Sequence, residues 1–82
     1  MKFPFTPEEF LPLEDWDDKS LTKLYNEKQI TLTLKRQGTL YGMSISVDNK
    51  KHNGAVQFDT ADDLFGFKWV AMIAIVDEYC KE

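Results

Sequence analysis

The chain has 82 residues, of which 43% are hydrophobic and 13% aromatic, and its formal net charge is −4. This composition excludes a disordered segment and fits one small globular domain. A single Cys and a single His exclude an intramolecular disulfide and most metal sites.

We predict a single small domain over residues 1–82 that has three segments: an acidic helical or irregular segment (1–28), a β-meander (29–59) and a C-terminal helix (60–82). The net charge follows a similar division, at −5 over residues 1–18, +5 over residues 19–58 and −4 over residues 59–82. The basic middle and the acidic ends therefore indicate that opposite charges attract each other within the domain.

The N-terminal segment predicts two short helices. Thr6, Pro7 and two glutamates form a helix-start signature, and Pro12 limits the resulting helix to about 7–11. Further on, Leu21, Leu24 and Tyr25 have the spacing of one helical face, which predicts a second helix at about 17–27. The competing interpretation makes residues 21–26 a strand, but the adjacent Leu24 and Tyr25 break its alternation.

A β-hairpin is predicted from the strict apolar/polar alternation between Ile30 and Arg36. If Gln37 and Gly38 form a two-residue loop, every large side chain of the hairpin falls on one face. The expected partners are Leu34 with Tyr41, Leu32 with Met43, and Ile30 with Ile45. We expect strands at about 30–36, 39–47 and 55–59, a polar connection from Asp48 to Gly54, and Val56 and Phe58 on the buried side.

The last element is predicted to be a long helix at about 60–80, capped by Thr60 with Asp63 reaching back. One face carries its core residues: Ala61, Phe65, Trp69, Met72, Val76 and Tyr79. Since Val70, Ile73 and Ala74 make the other side apolar too, the helix needs a second contact besides the sheet. We favour the aromatic N-terminal segment as this second contact, and a second copy of the chain is the alternative. The predicted fold class is thus α+β.

No catalytic residue, cofactor or metal site is predicted. His52 stands among lysines in an expected loop and has no orienting carboxylate nearer than Asp48. Glycines occur singly and form no phosphate-binding loop. We therefore expect a protein without enzymatic activity.

The first sixteen residues are interrupted by prolines and carboxylates, which argues against an export signal. The longest apolar run, from Trp69 to Val76, has eight residues, whereas a membrane-spanning helix needs about 20. We expect a cytoplasmic protein that has no membrane partner.

The acidic residues point to protein binding, because dense carboxylates attract a basic surface. The expected protein-binding residues are Glu14, Asp15, Asp17, Asp18, Asp59, Asp62 and Asp63. An accessory, inhibitor or immunity-type protein of a phage or mobile element fits this interpretation, and so does an acidic surface that only maintains solubility.

Single-stranded nucleic-acid binding is the alternative function. A strand meander followed by a helix resembles, in topology, the single-stranded-DNA-binding coactivator domains. However, the predicted open sheet face has no aromatic residue for base stacking. We therefore expect a basic protein as the partner rather than a nucleic acid, with a homodimer through the C-terminal helix as a further arrangement.

Overall fold

The computed structural model describes residues 3–80, with the side chains of residues 52–55 excepted. Four strands form one antiparallel sheet in the order β1-β2-β3-β4. Their bounds are Asp18–Tyr25 (β1), Lys28–Gln37 (β2), Leu40–Val47 (β3) and Lys50–Phe58 (β4). Helices α1 (Ala61–Asp63) and α2 (Trp69–Cys80) follow. The α+β class is as predicted, but the sheet has four strands rather than three.

Two single turns of 3₁₀ helix, Pro7–Phe10 and Leu13–Asp15, precede the sheet. The first turn lies where the sequence predicts a short helix, and the Glu9 carboxylate accepts the Thr6 backbone N–H at 2.8 Å. Phe10 and Leu13 are buried, so both turns are fixed to the core by their apolar side chains.

The predicted helix at 17–27 is wrong, because this segment is strand β1. Lys19 and Lys23 occupy the same sheet face as Leu21 and Tyr25, since all four pair with core-side positions of β2. The Lys19 Nζ atom lies 3.9 Å from the centre of the Trp16 ring. A lysine stem can cover apolar surface while its ammonium group stays in polar surroundings, which hides a strand alternation from a simple polar/apolar pattern.

The β2–β3 hairpin exists, but its loop and register differ from the prediction. Gln37 pairs with Leu40, so Gly38 and Thr39 form the loop. Each partner is displaced by two residues, and the pairs are Leu34 with Met43, Leu32 with Ile45, and Ile30 with Val47. A register displacement of two residues keeps each side chain on the same face of the sheet. All these residues are therefore buried on one side. Gly38 has φ 65°, which suits the first loop position of a type II′ turn.

The predicted connection from Asp48 to Gly54 is also wrong. Asp48 and Asn49 alone form the β3–β4 turn, at φ 51° and 69°. Strand β4 then runs through the rest of the segment, with a register irregularity opposite Ser44 and Ile45. His52 consequently lies in a strand rather than in a loop, and its side chain is outside the described part of the structure.

Thr60 caps the C-terminal helix as predicted, since its Oγ1 accepts the Asp63 backbone N–H at 3.1 Å, but among the described residues the Asp63 side chain makes no return bond. The helix is interrupted in the irregular turn Leu64–Lys68, where Gly66 has φ −98° and ψ −126°. Trp69, Met72 and Val76 are buried, which confirms the predicted anchors, whereas Phe65 is exposed and its assignment to the core face is wrong. The interruption at Gly66 breaks the helical spacing that the prediction assumed.

The core lies between one face of the sheet and a layer formed by α2 and the N-terminal segment. The rings of Phe3 and Phe10 contact Trp69, with centroids 6.0 and 6.5 Å apart. The N-terminal segment thus contacts the helix at Trp69, on its core face, whereas Val70, on the side for which a second contact was predicted, is 65% exposed. The other sheet face is open and polar.

Candidate binding surface

The seven carboxylates predicted to bind protein belong to segments that meet at one end of the sheet. Strand β1 begins there and strand β4 ends there, beside the β2–β3 turn. We call this region the acidic end, and its members are Glu14, Asp15, Asp17, Asp18, Asp59, Asp62 and Asp63. Glu14 and Asp59, which are far apart in the sequence, line the same cleft.

The acidic end is not uniformly acidic. Asp18 is the register partner of Lys35, and the Asp17 carbonyl oxygen accepts the Arg36 backbone N–H at 3.1 Å. The charges of Asp17 and Asp18 therefore have cations on the adjacent strand. Within residues 3–80, none of the seven carboxylates forms an ion pair, since the pair that does form joins Glu9 to Lys23.

A cleft of about 380 Å³ separates the N-terminal segment from the start of the C-terminal helix. We call it the N-terminal cleft, and its lining residues are Leu11, Pro12, Leu13, Glu14, Tyr41, Asp59, Thr60 and Ala61. Tyr41 is 9% exposed and its ring stacks on Phe58, with centroids 5.8 Å apart. Its hydroxyl forms no hydrogen bond with the described residues and reaches solvent, since the buried polar atom left without a partner there is Trp16 Nε1. The lining of the cleft thus includes apolar residues, Tyr41 and two acidic residues.

Three exposed apolar side chains follow the last carboxylates of the acidic end in the chain, and we call this set the apolar patch. It comprises Phe65, Phe67 and Val70, which are 46%, 90% and 65% exposed. Phe65 and Phe67 flank Gly66, where the backbone leaves the helical conformation. The sequence prediction missed the patch because it extended one helix through this glycine. In the sequence, an isolated Gly between two Phe residues was the available sign that the helix is interrupted there.

The opposite end of the sheet is held by polar contacts between elements. The Tyr25 hydroxyl donates to Asp77 Oδ1 at 2.7 Å, and this bond raises the pKa of Tyr25. Burial raises the pKa of the Cys80 thiol, which disfavours the reactive thiolate. The Tyr25–Asp77 hydrogen bond connects β1 to α2, and a structural role explains both this bond and the Cys80 thiol.

The N-terminal segment is tied to β1 by Lys23. Its ammonium group pairs with Glu9 and donates to the Pro4 carbonyl oxygen at 3.1 Å. The hydrogen bond from Lys23 holds the pKa of Glu9 below its ordinary value of 4.5. One wall of the N-terminal cleft belongs to this segment, so the contact helps to position that wall.

Hydroxyl groups dominate the open sheet face. Ser20 and Thr33 are hydrogen-bonded at 3.0 Å, and so are Thr22 and Thr31 at 2.9 Å. The side chains of this face that the structure describes include no aromatic ring. The face therefore lacks the stacking platform that single-stranded nucleic acids use.

Among the described residues, no group of three or more His, Cys, Asp or Glu is placed to hold a metal ion. No helix in residues 3–80 combines the length and the apolar character needed to cross a bilayer. Comparison with family models, curated proteins and solved structures gives no match to this chain. The geometry of the surface is therefore the basis for any functional argument.

Proposed function

We propose that this protein is a non-enzymatic interaction module that binds a basic protein surface through its acidic end and apolar patch. The observation that carries the proposal is the exposure of Phe65 and Phe67 a few residues after Asp62 and Asp63 in the chain. Carboxylates and exposed aromatic side chains thus lie within six residues of one another in the chain.

This combination matches the usual composition of a protein–protein interface. Interfaces have an apolar core, in which aromatic residues supply much of the binding free energy, and a polar rim. Phe67 has most of its surface in water, and burying apolar surface contributes about 25 cal/mol per Å². The neighbouring carboxylates would accelerate association with a basic partner and discriminate against acidic ones.

A basic protein that normally holds a nucleic acid is a suitable partner, because an acidic domain can occupy the same positive surface. An accessory, inhibitor or immunity-type role in the cytoplasm, of phage or mobile-element origin, is consistent with such binding. Direct single-stranded nucleic-acid binding has less support, since the exposed aromatic rings stand beside carboxylates that repel phosphate.

Affinity capture with the full chain tests the proposal. Two variants remove the surface: Phe65→Ser/Phe67→Ser for the apolar patch and Asp59→Lys/Asp62→Lys for the acidic end. Two matched controls change the opposite end or the open face: Glu27→Lys/Glu78→Lys reverses the same number of charges, and Leu24→Ser removes a side chain that is 71% exposed. Circular dichroism establishes that each variant is folded.

We expect a basic protein from the source cells to be retained by the wild type and both controls, and to be lost with both surface variants. Retention should also weaken as salt is raised. Retention that is equal for all variants would contradict the proposal, and so would preferential retention of single-stranded nucleic acid. Loss of self-association in the Phe65→Ser/Phe67→Ser variant, measured by sedimentation, would assign the patch to a homodimer instead.

A further inference from the structure

We infer that strand β1 is a dimerisation edge, along which two copies of this chain pair their β1 strands antiparallel and join their sheets into one. The inference goes beyond the proposed function and does not involve the apolar patch. Three features of β1 carry it: open backbone groups along its outer side, a regular course, and charges that match those of a second copy in one register.

The backbone of β1 is bonded to β2 on one side and open on the other. The Arg36 N–H donates to the Asp17 carbonyl oxygen at 3.1 Å, and these two residues continue the β1–β2 register. Hydrogen-bonded and non-hydrogen-bonded pairs alternate in an antiparallel ladder, so every second residue from Asp18 onward directs its backbone groups away from β2. These residues are Asp18, Ser20, Thr22 and Leu24. Among residues 3–80, no strand lies beyond β1 to bind them.

The two edges of the sheet differ in regularity. Strand β4 has a register irregularity and exposes Lys50 and Lys51, which are features that protect a sheet edge from further pairing. Strand β1 pairs with β2 without a register shift over its whole length, and Ser20 and Thr22 on its open face are exposed. A regular edge of this kind offers its free backbone groups to another strand.

The lysines on the core side of β1 do not close this edge. Inward-pointing lysines protect an edge because a paired strand would cover their charge. Here the Lys19 Nζ atom lies over the Trp16 ring, and Lys23 pairs with Glu9 and donates to the Pro4 carbonyl oxygen. The Lys23 side chain is 34% exposed and has a third donor, so it can receive a further carboxylate from a paired strand.

Charge complementarity selects a second copy as the occupant of the edge. In an antiparallel pair with two-fold symmetry, contacts are reciprocal and one position of β1 faces itself. With Ser20 on the axis, Asp17 lies opposite Lys23 of the second copy, and each of these pairs occurs twice. Asp18 lies opposite Thr22, whose hydroxyl can donate to the carboxylate. Opposite charges across two strands stabilise the pairing, whereas like charges destabilise it.

The neighbouring registers bring like charges together. The like-charged pairs are Lys19 with itself for an axis at Lys19, Lys19 with Lys23 for an axis at Leu21, and Asp17 with Glu27 for an axis at Thr22. An axis between two residues is excluded, because it would place an open backbone position opposite one that is bonded to β2. The charges of β1 therefore favour the register centred on Ser20.

Disulfide trapping in the full chain tests both the edge and the register. In a Cys80→Ser background, Ser20→Cys places two thiols directly opposite each other. The Cα atoms of such a pair lie about 5.5 Å apart, within the range of roughly 4.4–6.8 Å that a disulfide spans. Thr22→Cys is the matched control, since its two copies would be about 13 Å apart along the strands. We expect mild oxidation to yield a covalent dimer at least about tenfold faster with Ser20→Cys than with Thr22→Cys.

Sedimentation velocity measures the dimer without a covalent link. One pair of strands buries less surface than a standard interface of about 1,600 Å², so we expect a weak dimer whose population rises with protein concentration. Thr22→Pro removes an outward N–H from each copy and leaves the bonds to β2 in place. It should weaken dimerisation roughly 10–30-fold, the value of two hydrogen bonds. Thr22→Val is the matched control, because it loses the same hydroxyl but keeps the N–H, and it should dimerise like the wild type.

A charge variant tests the register independently. Asp17→Lys turns two attractive pairs into repulsive ones and should weaken dimerisation roughly tenfold at low salt. Glu78→Lys makes the same change of charge at an exposed position of α2 and should leave dimerisation unchanged. Circular dichroism establishes that each variant is folded.

Three results would overturn the inference. They are a chain that stays monomeric at the millimolar concentrations of an NMR sample, equal oxidation of Ser20→Cys and Thr22→Cys, and a dimer that is kept in Thr22→Pro but lost in Phe65→Ser/Phe67→Ser. The proposed function is tested separately, because Thr22→Pro leaves the apolar patch and the acidic end intact. Capture of a basic partner should therefore persist in the monomeric variant.

Discussion

Two turns of the sheet place non-glycine residues in the left-handed region of backbone conformation. In the β1–β2 turn, Asn26 has φ 53° and Glu27 has φ 66°. Both central positions of a type I′ turn require positive φ, and asparagine followed by glycine is the preferred pair. Asn26 fits this preference, whereas Glu27 has a β-carbon that clashes in this conformation.

Glu27→Gly should therefore stabilise the protein. Relief of the unfavourable conformation should raise the free energy of unfolding by about 0.5–1 kcal/mol, after the larger chain entropy of glycine in the unfolded state is subtracted. Urea denaturation measures the change. Glu27→Gln is the matched control, since it removes the charge but keeps the β-carbon, and an equal gain in both variants would show that charge is the cause.

Tyr25 is the residue that connects the turn end of β1 to α2. Tyr25→Phe removes the hydroxyl that donates to Asp77 at 2.7 Å, and we expect a loss of about 1–2 kcal/mol in the free energy of unfolding at neutral pH. Tyr41→Phe is the matched control, because that hydroxyl has no partner among residues 3–80, and it should cost little. Equal losses would contradict the assigned role of Tyr25.

The same hydrogen bond predicts a dependence of stability on alkaline pH. The bond to Asp77 raises the pKa of Tyr25 above its ordinary value of 10.0, which means that folding favours the neutral phenol. This contribution is fully present below pH 10 and is lost as pH rises through the pKa of the folded state. The difference in free energy of unfolding between the wild type and Tyr25→Phe should therefore shrink above pH 10.

At the level of elements, the strand β1 shows why a helix was predicted in its place. Leu21 and Tyr25 are four residues apart, which fits one face of a helix and also one face of a strand, because residues separated by an even number share a strand face. The deciding residues are Lys19 and Lys23, which lie on the core side because Trp16, Glu9 and the Pro4 carbonyl receive them. The Lys23 contacts are long-range in the sequence, and neither they nor the Lys19 contact is encoded in local periodicity.

Helix α2 is fixed by one large side chain. Trp69 is buried and its ring contacts Phe3 and Phe10 of the N-terminal segment. Trp69→Ala should cost roughly 3–5 kcal/mol, a large share of the stability of a small domain. Val70→Ala, one position along the same helix but exposed, should change the thermal midpoint very little. Equal effects of the two variants would show that the buried face is wrongly assigned.

At the level of the whole molecule, the sequence predicted the fold class and the apolar faces, because periodicity and capping are local properties. It also singled out carboxylates that belong to segments adjoining one end of the sheet, where β1 begins and β4 ends. The N-terminal cleft was not predictable, since Glu14, Tyr41 and Asp59 meet only through tertiary packing. The apolar patch was missed because its exposure depends on the backbone at Gly66.

A surface built to bind a basic partner should cost stability in the free protein. Glu14 and Asp59 line one cleft, with no cation paired to either among the described residues, and like charges that share a site repel each other. Neutralising both groups should therefore stabilise the free chain even as it weakens partner binding, which is the usual conflict between stability and function.

Glu14→Gln/Asp59→Asn should raise the free energy of unfolding by about 0.2–1 kcal/mol at low salt, the range measured for exposed charge interactions. For a domain of this size, that corresponds to a rise of roughly 1–8 °C in the thermal midpoint. The rise should shrink as salt is added, because the Debye length falls from about 30 Å at 0.01 M to about 10 Å at 0.1 M. Calorimetry at both salt concentrations measures it, with Glu27→Gln/Glu78→Gln as the control of equal charge. A lower midpoint in the cleft variant alone would show that the two carboxylates stabilise the fold, and that the cleft is part of its architecture rather than a surface kept for a partner.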